Sequence, residues 1–233
     1  MSLAFNRDDP RTWGYFKPLM LAHDVGRSRD RSTAVIGGNC PIGSQLLGIS
    51  ELIELPQGLY GAARADALGV VDRRYSSNAL IIVDVSNDES YAEVLFEMFG
   101  ATRLIGLHIT RSGDGMNWAR RPVKHGVFLV YTIGRTYLLE QFHTAMQSDQ
   151  VKFVDGPMSR RAYEQLAALE TETRETGRVY TCRSGQHDDL GISCAMLNWG
   201  AQHPHLPLWF REFEHSRMIR KPRPEPYGWG AFT

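Results

Sequence analysis

Ala79-Leu80-Ile81-Ile82-Val83-Asp84, then Ser86-Asn87-Asp88-Glu89, a helical run to Phe99, and finally Arg103 to Thr110: this stretch decides the fold. The run at 79–85 is apolar on both faces, as in a central strand covered by helices on either side. Ser86-Asn87-Asp88-Glu89 offers capping side chains for the helix behind it. That helix carries Tyr91, Val94, Leu95 and Met98 on its inner face, and Gly100 stops it. Arg103 to Thr110 is again strand-like. A strand–helix–strand unit of this length requires a crossover, and the two strands then pair in parallel.

Working outward, Leu19 to Val25 and Ser32 to Gly38 read as two strands joined by the polar turn Gly26 to Arg31, so the pair forms an antiparallel hairpin. Leu47, Ile49, Glu51, Ile53 and Leu55 alternate with the period of a third strand, which Pro56 ends. Tyr60 to Arg74 has helical spacing at Ala63, Ala67 and Val71. On the C-terminal side, 111–126 reads as a loop or irregular hairpin and Val127 to Ile133 as a short strand. A helix is expected from Arg135 to about Gln147, a short strand over Val151 to Val154, and a helix from Ser159 to about Thr173. Arg178 to Cys182 is a strand or extended link, and Asp188 to about Ala201 the last helix. The expected class is therefore α/β: a mixed sheet, antiparallel hairpin plus parallel strands, flanked by helices. From His203 onward, prolines at 204, 207, 222, 224 and 226 together with Trp209, Phe210, Phe213, Tyr227, Trp229 and Phe232 predict an irregular, aromatic-rich tail that folds on a partner.

Within this frame the acids stand out. Asp24 and Asp84 each lie near the C-terminal end of an apolar strand, and Asp188-Asp189 open an apolar helix. Alone, each has an ordinary use: a turn, a helix cap, or a carboxylate matched to the positive end of a helix dipole. Together they form an all-oxygen ligand set of the kind that hard divalent ions take. Neighbouring strands of a parallel-centred sheet bring their ends together at the carboxyl edge, where such folds place their chemistry. Two ions held there would activate a water and stabilise the leaving oxygen of a phosphodiester. Asp24 is the candidate to bridge both ions, Asp84 to hold one, and Asp188/Asp189 to complete the other. His187 is read either as a residue that orients an acid or shuttles a proton, or as a solvated loop histidine. Asp155 is the rival acid, though Gly156-Pro157 after it reads as a turn.

The rest of the composition narrows the field. The 233 residues carry no net charge, so bulk electrostatics do not announce a nucleic-acid partner. Of the 26 basic residues only Lys17, Lys124, Lys152 and Lys221 are lysines. Arginine forks grip phosphate in a bidentate geometry, and two local groups are candidates to bind DNA: Arg27, Arg29 and Arg31 after Asp24, and Arg111, Arg120, Arg121 and Lys124 in the 111–126 segment. Three widely spaced cysteines form neither a disulfide framework nor a zinc pattern and fit a reducing cytosol. No apolar stretch is long enough to span a membrane, and the first residues are too polar for a secretory signal.

The order of these pieces resembles the C-terminal nuclease domain of large terminase subunits, the DNA-packaging motors of tailed bacteriophages. The pieces are DVGRSRDRSTAVIGG (24–38), ALIIVDVSNDESYAEVLFEMFG (79–100), RLIGLHIT (103–110) and HDDLGISCAMLNW (187–199). The resemblance covers roughly 19–201 and implies an RNase H-like fold. Residues 1–202 are then expected to be the nuclease domain and 203–233 the tail. It also implies two Mg2+ or Mn2+ ions at Asp24, Asp84 and Asp188/Asp189. The implied partners are double-stranded DNA, an ATPase domain or subunit and a portal protein, in the cytoplasm of a bacterial host. Two features depart from the family: Ser86-Asn87-Asp88-Glu89 replaces a glycine-rich stretch, and no GxxxxGK[ST] phosphate loop is present. An excised domain, a split gene product and a stand-alone relative all fit that pattern. Two rival functions stay open: an RNase H-like resolvase-type nuclease, and a non-catalytic DNA- or portal-docking module.

Overall fold

The computed structural model describes residues 4–13, 18–26, 31–42, 45–86, 89–174, 177–182 and 188–220. After a short 3-10 turn at Pro10–Thr12, the strands are β1 (Leu19–Asp24), β2 (Thr33–Asn39), β3 (Leu47–Glu54), β4 (Leu80–Asp84), β5 (Leu104–Thr110), β6 (Asp114–Val123), β7 (Gly126–Gly134) and β8 (Val151–Phe153). They form one sheet in the order β6-β7-β5-β4-β1-β2-β3-β8. β1, β4, β5 and β7 run parallel, and β2 returns antiparallel beside β1, with Ala22 opposite Val35 on one side and Ile82 on the other. The expected mixed sheet is present, with the apolar 80–84 run near its centre.

Period-two alternation divides the core. Leu21, Ala34, Ile36, Ile81 and Val83 face helices α1 (Gly61–Arg74) and α2 (Glu89–Phe99). Tyr91 and Leu95 of α2 are buried there, while Met98 lies outward. Met20, Ala22, Val35, Leu80 and Ile82 face the other layer. That layer holds α3 (Arg135–Gln147), α4 (Pro157–Ala167), α5 (Asp189–Gln202) and α6 (Leu206–Arg220). α5 is the inner helix, with every residue from Leu190 to Gly200 buried. Gly200 allows its close approach, since a Cβ there would lie 2.2 Å from Cδ1 of Ile82.

One open expectation about the C-terminal half is resolved and two change. Of the two readings of 111–126, the irregular hairpin holds and the loop does not: β6 pairs antiparallel with β7, with a register shift between Asp114 and Trp118. The helix expected to reach Thr173 stops at Ala167, and β9 (Leu169–Arg174) pairs with β10 (Gly177–Cys182) in a separate two-stranded sheet. Thr171 and Thr173 are β-branched and favour extended backbone.

The second change is the larger. Residues 206–220 are helical rather than irregular, and Leu206, Trp209 and Phe213 are buried in the same apolar layer as α5. Pro204 lies ahead of α6 and Pro207 in its first turn, where a missing N–H costs no helical hydrogen bond. His203 joins the two helices. Its ring stacks on Trp209 at 4.7 Å, and its Nδ1 accepts from the backbone N–H of His205 at 3.1 Å. The break expected at 203 thus falls inside packed structure. The proline run at 222–226 and Tyr227, Trp229 and Phe232 lie outside the described residues.

Candidate metal-dependent active site

Alternation along the strands also places the acids. Asp24 ends β1 on the face of Met20 and Ala22, and Asp84 ends β4 on the face of Leu80 and Ile82, so both lie on the α5 side. The N-terminus of α5 meets them there because it is pinned to the hairpin. Thr33 Oγ1 donates to the Asp189 carbonyl at 3.0 Å, and the Thr33 and Ser193 hydroxyls are 2.7 Å apart. Ser193 Oγ also accepts from the Asp24 backbone N–H at 3.2 Å. Asp24, Asp84, Asp188 and Asp189 consequently line one cavity of about 310 Å³, together with Gly26, Ser86, Thr110 and Arg135. It opens at the carboxyl ends of β1, β4 and β5.

The side chain of Asp188 makes no capping hydrogen bond. That role falls to Gln165 of α4, whose Oε1 accepts from the N–H groups of Leu190 at 3.0 Å and Gly191 at 3.2 Å. Asp188 forms an ion pair with Arg135 instead. Asp84 Oδ1 accepts from the backbone N–H of Ser86 at 2.8 Å and from its hydroxyl. Ser86 Oγ in turn accepts from Ile109 N–H of β5 at 2.7 Å. Opposite, the Gly26 carbonyl accepts from the buried Arg64 at 3.2 Å. Both walls of the cavity are therefore tied to secondary structure.

Electrostatics mark the cavity as strained by its own charge. The Asp24 carboxyl is pushed well above the usual carboxylate range, first by burial and then by the nearby charges of Asp84 and Asp189; Arg135 works the other way. Among the described residues, no three His, Cys, Asp or Glu side chains are gathered into a coordination group. Asp188 is turned to Arg135, and one oxygen of Asp84 to Ser86. The donor chemistry still fits a hard divalent cation: the acids on the walls offer only oxygen ligands, and a cation would relieve the repulsion recorded at Asp24.

The basic candidates divide by position. Arg111 is exposed and follows Thr110 at the cavity rim. Arg31 is held by Glu54 at 2.7 Å, and Glu54 also binds Arg161 at 2.9 Å. Arg120 pairs in register with Leu129, five residues back along β7 from the Gly134 that lies opposite Thr110. At ~3.3 Å per residue that is roughly 17 Å from the cavity edge, and Lys124, beyond Gly126, is roughly 26 Å away. Arg120, Arg121 and Lys124 are thus not brought to the acids. Arg27, Arg29 and His187 lie outside the described residues. Asp155 is not among the residues lining the cavity, and Arg160 lies 3.7 Å from it. Five residues that shape the site were not read from the sequence: Arg135, Ser86 as the holder of Asp84, Gln165, and Thr33 and Ser193 as the ties of α5. For Arg135 a signal existed, since an arginine in the first turn of a helix opposes the dipole and calls for another reason to be there.

No protein-family model and no curated protein sequence matches the chain. In three dimensions it is similar to the large terminase nuclease from thermophilic phage G20c. One structure of that nuclease gives a TM-score of 0.52 at 17% identity, over 77% of this chain and 80% of that one. A second, with bound magnesium, gives 0.54 at 16% identity, over 77% and 79%. Identity at this level speaks for the architecture alone: the chain has the RNase H-like fold of phage large terminase nuclease domains.

Proposed function

We propose that the chain is a divalent-metal-dependent endodeoxyribonuclease of a phage or prophage DNA-packaging terminase, acting on double-stranded DNA with little sequence specificity. One observation carries the reading: Asp24, Asp84, Asp188 and Asp189, drawn from three elements far apart in sequence, line a single cavity at the carboxyl edge of the sheet. These four would hold Mg2+ or Mn2+, two ions in the full site. Such ions supply a water activated for attack and a charge that stabilises the leaving oxygen of a phosphodiester. The chain's own part is to fix the ligands. Ser86 orients Asp84, Thr33 and Ser193 dock the start of α5 beside Asp24, and Gln165 caps the helix so that Asp188 faces the cavity.

DNA is held through its phosphates. Arg111 stands at the rim, and Arg120, Arg121 and Lys124 would meet the backbone about five to eight base pairs farther along, at 3.4 Å per pair. Their contacts carry no sequence information, which fits cutting of concatemeric DNA. An ATPase half and a portal complete the proposed assembly, in the bacterial cytoplasm.

The test is plasmid nicking and linearisation in Mn2+. The wild-type chain should cut, while Asp24→Asn and Asp84→Asn should not cut yet still bind DNA. Wild-type rates in either variant would place the chemistry elsewhere. Cleavage confined to four-way junctions would favour the resolvase reading, and DNA binding without cleavage the docking module.

A further inference from the structure

We propose that Arg135 is a built-in counter-ion of the acid cavity, one that holds Asp188 in the metal-free protein and gives it up when a divalent cation enters. The inference rests on the metal reading above and adds a competitor to it.

The position of Arg135 is unfavourable for its own helix. It is the first residue of α3, directly after Gly134, whose backbone N–H donates to the Gly113 carbonyl at 2.8 Å. A cation in the first turn opposes the positive end of the helix dipole. α3 gains nothing from it locally, so the compensation comes from what it faces. It faces the acids: it lines the cavity and forms an ion pair with Asp188. Among the described residues lining the cavity it is the sole cation, against four carboxylates. It is also the group that opposes the upward push on Asp24.

The two partners differ in freedom. The Asp188 side chain is 14% exposed, whereas that of Arg135 is 35% exposed, so the guanidinium can swing outward without disturbing the core. Asp188 cannot follow, because its backbone belongs to the capped start of the buried α5. Guanidinium and metal ion therefore compete for one fixed carboxylate, and the protein's affinity for the ion is set below what four acids alone would give. In the metal-free state the same contact keeps the crowded acids tolerable.

The experiment is direct Mn2+ titration of the full chain by calorimetry, with thermal unfolding alongside. Arg135→Gln should bind Mn2+ more tightly by about ten-fold or more, the low end of what an adjacent charge imposes on a buried acid. Its metal-free form should melt lower than wild type, and its Mn2+-induced rise in Tm should be larger. Arg135→Lys, which keeps the charge but loses the planar fork, should bind with intermediate affinity. It carries the test by itself if the glutamine variant does not fold without metal. Unchanged or weaker Mn2+ binding in the folded Arg135 variants, with binding still lost in Asp84→Asn, would overturn the counter-ion role while leaving the metal site standing. Mn2+ binding that is absent from wild type, or the same in wild type, Asp24→Asn and Asp84→Asn, would overturn the metal reading and this inference with it.

Discussion

Replacing Phe213 by alanine tests whether α6 belongs to the folded unit or rides on it. The ring is 1% exposed and packs in the layer that contains α5. Two guanidinium groups lie over it, Arg103 at 5.2 Å and Arg217 at 5.6 Å. Arg103 is itself committed to the buried Asp72 at 2.6 Å and to the Ala79 carbonyl at 2.9 Å, so it cannot move in to fill the space. The substitution thus removes apolar burial and leaves a cavity that its neighbours cannot close. Such changes cost about 3–5 kcal/mol. In a domain of this size each kcal/mol lowers Tm by roughly 2–4 °C, giving an expected fall of roughly 6–20 °C. Calorimetry and urea unfolding should agree, with an unchanged m-value. Met218→Ala on the same helix, 70% exposed, should stay within about 0.5 kcal/mol of wild type. Because Phe213 packs near the start of β5, at the end of the sheet away from the acids, Mn2+ binding well below the new Tm should be unaffected. A loss under about 1 kcal/mol would mean that α6 is an appendage.

Acid should weaken the fold through two buried histidines. Burial, with Arg64 near one ring and His205 near the other, holds His23 and His203 down at about 4, despite raising hydrogen bonds to the Thr33 and Gly115 carbonyls. Between pH 6.5 and about 4 the unfolded chain then binds more protons, so stability falls as pH falls through that window, by up to about 1.4 kcal/mol per pH unit for each ring. The raised carboxyl of Asp24 works in the opposite direction in metal-free protein, so the difference in slope between wild type and His203→Gln isolates one ring; equal slopes would refute its neutral burial. On DNA, Arg120→Ala with Arg121→Ala should lower affinity alike for all sequences and reduce the salt slope by roughly 1.8, while leaving metal binding intact. An unchanged slope would remove the β6–β7 hairpin from the footprint.

The sheet and its acids were legible because alternation is a local property. The double-faced run at 80–84 announces a central strand, and the phase of Met20-Ala22-Asp24 and Leu80-Ile82-Asp84 sends both carboxylates to the same side. What escaped acts at a distance. Gln165 caps a helix 25 residues downstream, and Ser86 ties β4 to β5. α6 was hidden by its own prolines, which read as breakers although Pro207 occupies a first turn. The β9–β10 hairpin was masked because Leu166 and Leu169 continue the helical spacing past the point where the backbone extends.

The burial of α5 on every side has a further consequence for control. A helix enclosed from Leu190 to Gly200, with Gly200 against Ile82 and Ser193 bonded to β2, can neither rotate nor slide without opening the core. The carboxylates at its head are fixed relative to those on β1 and β4 from the moment the chain folds. On the nuclease reading proposed above, switching between idle and cutting states would not proceed by helix motion of the shear kind. It would be left to side chains at the rim, to ions and to the nucleic acid presented to them. A nuclease of the proposed kind, built this way, would be governed by supply: its scaffold stays set, and timing would belong to whatever delivers or withholds the substrate.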